Sequence, residues 1–130
     1  MYEKFLICED SLRNVRRNGD VVGFEFDVRI GYYRGVRLCL VEEIEVTVDG
    51  ESIPRERRRF AVDGKSFTFD EMETVTDVRW EFGDRATITV EKPGGLEAGG
   101  HEVDVYEVIR ITYASGYARA RDSKELALQA

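Results

Sequence analysis

The chain has 130 residues, 26 acidic against 19 basic, for a formal net charge of -7, with one histidine and two cysteines. That length suits a single domain with one continuous core, and the acidic balance argues against a phosphate backbone as the main partner, because nucleic-acid binding draws its affinity from clustered Lys and Arg. No run approaches the roughly 18 apolar residues of a spanning helix, and no basic start leads into an apolar leader, so a soluble, cytoplasmic chain without membrane contact is expected.

Phe5-Leu6-Ile7-Cys8 reads as a short first strand and Leu12 to Arg17 as a weaker, polar-rich second. Asn18-Gly19-Asp20 then signals a hairpin, since Asn and Gly tolerate positive φ. In Val21 to Ile30 the residues Val22, Phe24, Phe26, Val28 and Ile30 alternate with polar ones, the period of a half-buried strand. Gly31-Tyr32-Tyr33-Arg34-Gly35 follows, with two glycines that let the backbone turn or bulge and three large side chains that combine apolar area with polar ends. Val36, Leu38 and Leu40, then Ile44, Val46 and Val48, mark one long strand in which Val41-Glu42-Glu43 interrupts the alternation and predicts a bulge or bend. Asp49-Gly50 closes it with another hairpin signal.

Beyond Ile53-Pro54 comes the arginine run Arg55, Arg57, Arg58 and Arg59, then a hairpin of Phe60 and Val62, Asp63-Gly64, and Phe67 and Phe69. Asp70 to Asp77 is the longest stretch with neither a strand period nor turn residues, and long ordered loops tend to carry contacts. Val78 to Phe82 alternates again, Gly83-Asp84 turns, and Ala86, Ile88 and Val90 form the next strand. Glycines 94, 95, 99 and 100 make a connection to the last long strand, marked by Val103, Val105, Ile109, Ile111 and Tyr113, with Tyr106 and Val108 opposite. From Ala114 the chain is small and polar, a final edge strand or a tail. The pattern predicts an all-β fold, an antiparallel β-sandwich or barrel, as a single domain over residues 1–130.

The residues favour binding over catalysis. His101 stands among glycines with no second histidine to form a base or metal pair, and Cys8 and Cys39, both flanked by apolar residues, read as reduced thiols rather than zinc ligands. Asp70, Glu71, Glu73 and Asp77 lack the glycine and ligand spacing of a calcium loop, so a solvated acidic loop is expected and no metal. The arginine run reads as a charged sheet edge. Trp80 with Phe82 is expected as a core anchor, the alternative being an interface residue. The expected partner surface is Tyr32, Tyr33 and Arg34, with Trp80 and Glu71 as further members and no catalytic residue.

Several stretches taken together resemble the small (β) subunit of bacterial C-glycoside deglycosidases. They are Met1-Tyr2-Glu3-Lys4, the run Val28 to Gly35, Glu43 to Gly50, Phe69-Asp70-Glu71-Met72-Glu73, Arg79-Trp80-Glu81-Phe82-Gly83, and Lys92-Pro93-Gly94-Gly95-Leu96. The resemblance implies an accessory subunit of a carbon-carbon lyase acting in flavonoid C-glycoside catabolism. The enzyme would cleave a 3-oxo C-glycoside, losing the C2 proton and releasing the aromatic aglycone from C1 by elimination. It further implies a (β/α)8-barrel α subunit as partner, with the divalent metal, manganese, held there and no cofactor in this chain. The alternative is a free-standing carbohydrate-binding β-sandwich with Tyr32, Tyr33 and Trp80 as a stacking platform.

Overall fold

The computed structural model describes residues 6–32, 34–111 and 116–129. Strands β1 (Arg13–Arg17) and β2 (Asp20–Val28) meet at Asn18 and Gly19, whose φ values of 54° and 85° give the doubly positive geometry of a two-residue hairpin turn. The predicted long strand is divided. β3 (Val36–Arg37) gives way to a single 3₁₀ turn, Leu38–Leu40, before β4 (Val41–Val48) resumes. Two backbone bonds divert it: Leu38 N–H to Val78 O at 3.0 Å and Cys39 N–H to Val75 O at 3.0 Å, which bury Leu38 under a later loop. The expected bulge is also present, because Glu43 pairs with Val108 and Val41 with Ile109, leaving Glu42 over.

β5 (Glu51–Ser52) returns from β4 through Asp49-Gly50, and β6 (Arg58–Val62) and β7 (Lys65–Thr68) join through Asp63-Gly64, again with positive φ at both turn residues. The arginine run is not an edge: β6 is paired on both sides, and Arg58 faces inward at 5% exposure. The expected irregular acidic stretch opens as a helical turn, α1 (Phe69–Met72), because Thr68 and Glu71 form a reciprocal capping box while Phe69 and Met72 point into the core. β8 (Arg79–Trp80) is shorter than expected, since Gly83 at φ 91° turns the chain with Asp84 N–H bonded to Glu81 O. β9 (Ala86–Glu91), β10 (Gly100–Arg110) and β11 (Tyr117–Ala127) complete the chain. Of the two expectations for the C-terminal stretch, the edge strand is the observed one, paired with β10 from Gly100↔Ala127 to Arg110↔Tyr117.

A five-stranded sheet, β1-β2-β9-β6-β7, packs on a four-stranded one, β11-β10-β4-β5, with β3-β8 as a separate pair. Phe24, Phe26, Ile88 and Phe60 from the first share one core with Ile44, Val46, Val105 and Ile109 from the second, the sandwich that the alternating pattern predicts. Of the first expected strand, the described residues Leu6 to Cys8 make one bridge, Ile7↔Val28, and fill the seam between the sheets. On one side its backbone bonds β2 (Cys8 N–H to Asp27 O, 2.9 Å); on the other, Asp122 accepts from Ile7 N–H at 2.9 Å and Lys124 donates to Ile7 O at 2.6 Å.

Candidate partner interface

Gly31 to Gly35 leads from the five-stranded sheet into the β3-β8 pair, so it is a crossover and not a hairpin. Its two glycines are required by close approach, since neither has positive φ. A Cβ on Gly31 would stand 2.5 Å from Ala120 Cβ and 2.9 Å from Leu6 Cδ2; on Gly35 it would stand 2.9 Å from Glu81 Cα and 3.0 Å from Trp80 O. Gly31 N–H also donates to Glu107 Oε1 at 2.7 Å. Glu107 occupies the inward row of β10 between Val105 and Ile109 and is fully buried, and its other carboxylate oxygen has no partner among the described residues. Burial pushes its carboxyl up to about 8, against the opposing Gly31 N–H and with a smaller push from Asp122.

Beside the crossover lies a groove of about 590 Å³ whose walls include Tyr32, Arg34, Arg37, Leu40, Arg79 and Arg110. Arg37 and Arg79 are direct partners across the β3-β8 pair. Arg79 donates through Nη2 to Gly35 O at 3.1 Å with Nε toward Glu81 at 3.3 Å, and Arg110 donates through Nη2 to Cys39 O at 3.2 Å with Nε toward Glu42 at 3.2 Å. Phe82, one residue past Glu81, is 55% exposed, and Tyr117, the cross-strand partner of Arg110, is 49% exposed.

The structure thus brings Tyr32 and Arg34 to one groove and adds Arg37, Arg79 and Arg110, which pattern reading does not single out, while Phe82 follows Glu81 and Tyr117 pairs with Arg110. Tyr33 lies outside the described residues. Trp80 belongs to the core: it is 0% exposed, donates through Nε1 to Asp84 O at 3.0 Å and meets Phe60 edge-on at 5.1 Å. The expected pairing of Trp80 with Phe82 in the core is corrected by the turn at Gly83, which leaves Phe82 outside. A sugar-stacking platform that includes Trp80 is therefore not built. Glu71 is exposed but caps α1, accepting from Thr68 N–H at 2.7 Å, and does not line the groove. That Thr68 N–H lowers the Glu71 carboxyl. Thr68-x-x-Glu71 was visible in the sequence as a capping box.

His101, which stands among glycines in the sequence, closes a clasp between two loops. Its ring is 12% exposed, with Nδ1 2.7 Å from Asp49 Oδ2 and Nε2 2.7 Å from Glu97 O. Cys8 and Cys39 are free thiols, and burial raises that of Cys8. Among the described residues no three His, Cys, Asp or Glu side chains converge as a metal site would require, and no helix is long and apolar enough to cross a membrane.

Gly31 and Gly35 thus stand in close approach beside an arginine-lined groove, and Phe82 and Tyr117 are exposed. A family model for the C-glycoside deglycosidase beta subunit matches residues 2–113. The chain belongs to this family. It is 33% identical over 102 residues to the C-glycoside deglycosidase beta subunit of Eubacterium cellulosolvens, covering 78% of this chain and 69% of the relative. It is 36% identical over 114 residues to the 3'-dehydrocarminate deglycosidase beta subunit of a Microbacterium species, covering 87% and 81%. A C-glycoside deglycosidase beta subunit of Microbacterium trichothecenolyticum is 33% identical over 87 residues, covering 67% and 66%. Membership in a family of β subunits makes the chain one component of a multi-subunit deglycosidase.

Proposed function

We propose that the chain is the accessory β subunit of a cytoplasmic C-glycoside deglycosidase and docks on a (β/α)8-barrel α subunit through the end of the sandwich that carries Tyr32, Arg34 and Phe82. The α subunit holds the divalent metal, manganese, and performs the elimination that splits a 3-oxo C-glycoside from its aromatic aglycone. This chain shapes and stabilises the active-site side and takes no direct part in the chemistry. The observation that carries the reading is family membership over residues 2–113, joined by a surface rich in Tyr, Phe and Arg, the residue types that anchor protein interfaces. One relative is named for 3'-dehydrocarminate, in keeping with an oxidised aromatic C-glycoside as substrate.

The test is coexpression with a large deglycosidase subunit from the same genome, followed by sizing, metal analysis and assay on a 3-oxo C-glycoside. A complex of fixed stoichiometry that turns over substrate, with the metal retained by the large subunit alone, is the expected result. Turnover by this chain alone, or failure of the two chains to associate, overturns the reading.

A further inference from the structure

Arg37 and Arg79 face each other across β3-β8, an arrangement in which like charges repel. Both line the groove, and Arg110 reaches its wall from β10. Of the five N–H donors on each guanidinium, Arg79 and Arg110 direct two toward groups of their own chain, and Arg37 makes no ion pair or hydrogen bond among the described residues. The loop carbonyls of Gly35 and Cys39 hold two of the three guanidiniums in place, while their outer Nη1 groups have no partner among the described residues. Among the described residues these three cations meet two carboxylates, Glu81 and Glu42, on a chain whose net charge is -7, and Arg34 stands in the groove wall as a fourth arginine. We propose that this groove receives an acidic segment of the partner subunit, its Asp or Glu carboxylates taken by Arg37, Arg79 and Arg110.

A carboxylate fits the fork of a guanidinium and relieves the repulsion between Arg37 and Arg79. Phe82 follows Glu81 in the chain and Tyr117 pairs with Arg110 across β10 and β11, and both are exposed, so apolar rings beside the groove's arginine partners favour a protein segment with apolar flanks over a small anion. Most of this acidic chain repels such a segment, so the groove sets the register of docking as well as its strength. The inference rests on the proposed docking of an α subunit and adds the chemistry of the contact.

The test uses the complex with the large subunit. Its dissociation constant is measured at about 0.05 M and about 0.5 M salt for wild type, Arg37→Glu, Arg110→Glu, Phe82→Ala and the control Arg17→Glu, which lies in a different groove. Thermal melts confirm folding, and Arg37→Gln serves as a milder variant. The expected result is assembly weakened about tenfold or more by salt and by each reversal at Arg37 and Arg110, with Arg17→Glu unchanged. Assembly lost with Phe82→Ala but indifferent to salt and to the arginine reversals overturns the acidic segment while leaving the docking end in place. Assembly indifferent to every variant overturns both the segment and the docking end, and no assembly by wild type overturns the subunit reading along with them.

Discussion

Two regions of this molecule gather arginines, and they do opposite things with them. Around Phe69, Arg55 reaches Glu43 at 3.1 Å, Asp70 at 3.1 Å and Glu73 at 3.4 Å, while Arg58 pairs with Glu43 at 3.0 Å, bonds Ile44 O and stacks 5.1 Å from the ring. Two guanidiniums there meet three carboxylates. In the groove at Gly35, three of the four lining arginines, Arg37, Arg79 and Arg110, meet two carboxylates among the described residues and keep donors unspent. The first cluster meets more carboxylates than it has guanidiniums, with Arg58 Nε alone left buried and unbonded among the described residues, and the second keeps donors that the proposed partner segment would take. Counting arginines does not separate the regions, but counting the carboxylates each cluster meets does.

The largest expected effect tests the carboxylate-rich cluster around Phe69. Arg58→Ala should cost about 3 kcal/mol, because it removes a buried cation and leaves Ile44 O unpaired, whereas Arg37→Ala should stay within about 0.5 kcal/mol. Urea unfolding of both variants checks this, and equal losses would dissolve the distinction. Arg58→Met, which keeps most of the volume and leaves Arg55 to satisfy Glu43, should recover part of the loss.

Glu107 sharpens the comparison as a buried carboxyl with one oxygen unpartnered among the described residues. Its folded pKa of about 8 lies above the ordinary 4.5, so between those values the fold binds a proton that the unfolded chain has released. Stability should therefore be full below about pH 4.5, decline as pH rises toward 8 and level off beyond, a change on the order of a few kcal/mol. Glu107→Gln keeps an acceptor for Gly31 N–H and cannot ionise, so its stability should exceed that of wild type above pH 8 and lose the slope. Parallel slopes in the two proteins would rule this out.

The hairpins were legible because their chemistry is local: Asn18-Gly19, Asp49-Gly50 and Asp63-Gly64 each place a residue that tolerates positive φ before a glycine. The inward row of β10 was legible too, although counting it by twos also lands on Glu107, and an apolar reading passes over a carboxylate there. The groove was not legible. Arg37, Arg79 and Arg110 are far apart in sequence, and only the β3-β8 pairing and the Arg110 bond to Cys39 O bring them together. The role of Gly31 was misread for a related reason, since its neighbour Ala120 belongs to a strand that sequence alone left undecided. Gly31→Ala should cost about 2 kcal/mol by overpacking, against about 1 kcal/mol for Gly64→Ala, where positive φ is the whole cost. Adding Ala120→Gly should offset part of the Gly31→Ala loss, and strict additivity in that cycle would show that the close approach is not the cause.

The smallest expected effect concerns the other end of the comparison, a polar residue near the surface whose bonds are all made. Both ring nitrogens of His101 face acceptors, so the doubly protonated imidazolium fits the site better than either neutral tautomer, one of whose nitrogens would oppose a lone pair. The bond to Asp49 foremost, and that to Glu97 O next, raise the His101 pKa, and the same contact with His101 foremost lowers that of Asp49. A raised histidine pKa contributes stability that is fully present below the unfolded value near 6.5 and lost as pH climbs through the folded one. A lowered aspartate contributes above its unfolded value near 3.8 and loses it on acidification. The clasp should therefore act most strongly between those two limits. With Asp49 half exposed, His101→Gln should lose only about 0.5–1 kcal/mol at pH 5.5 and less at pH 9. Thermal melts of the variant and wild type across that range measure the difference, and a gap that widens toward pH 9 would mean that the ring is held neutral.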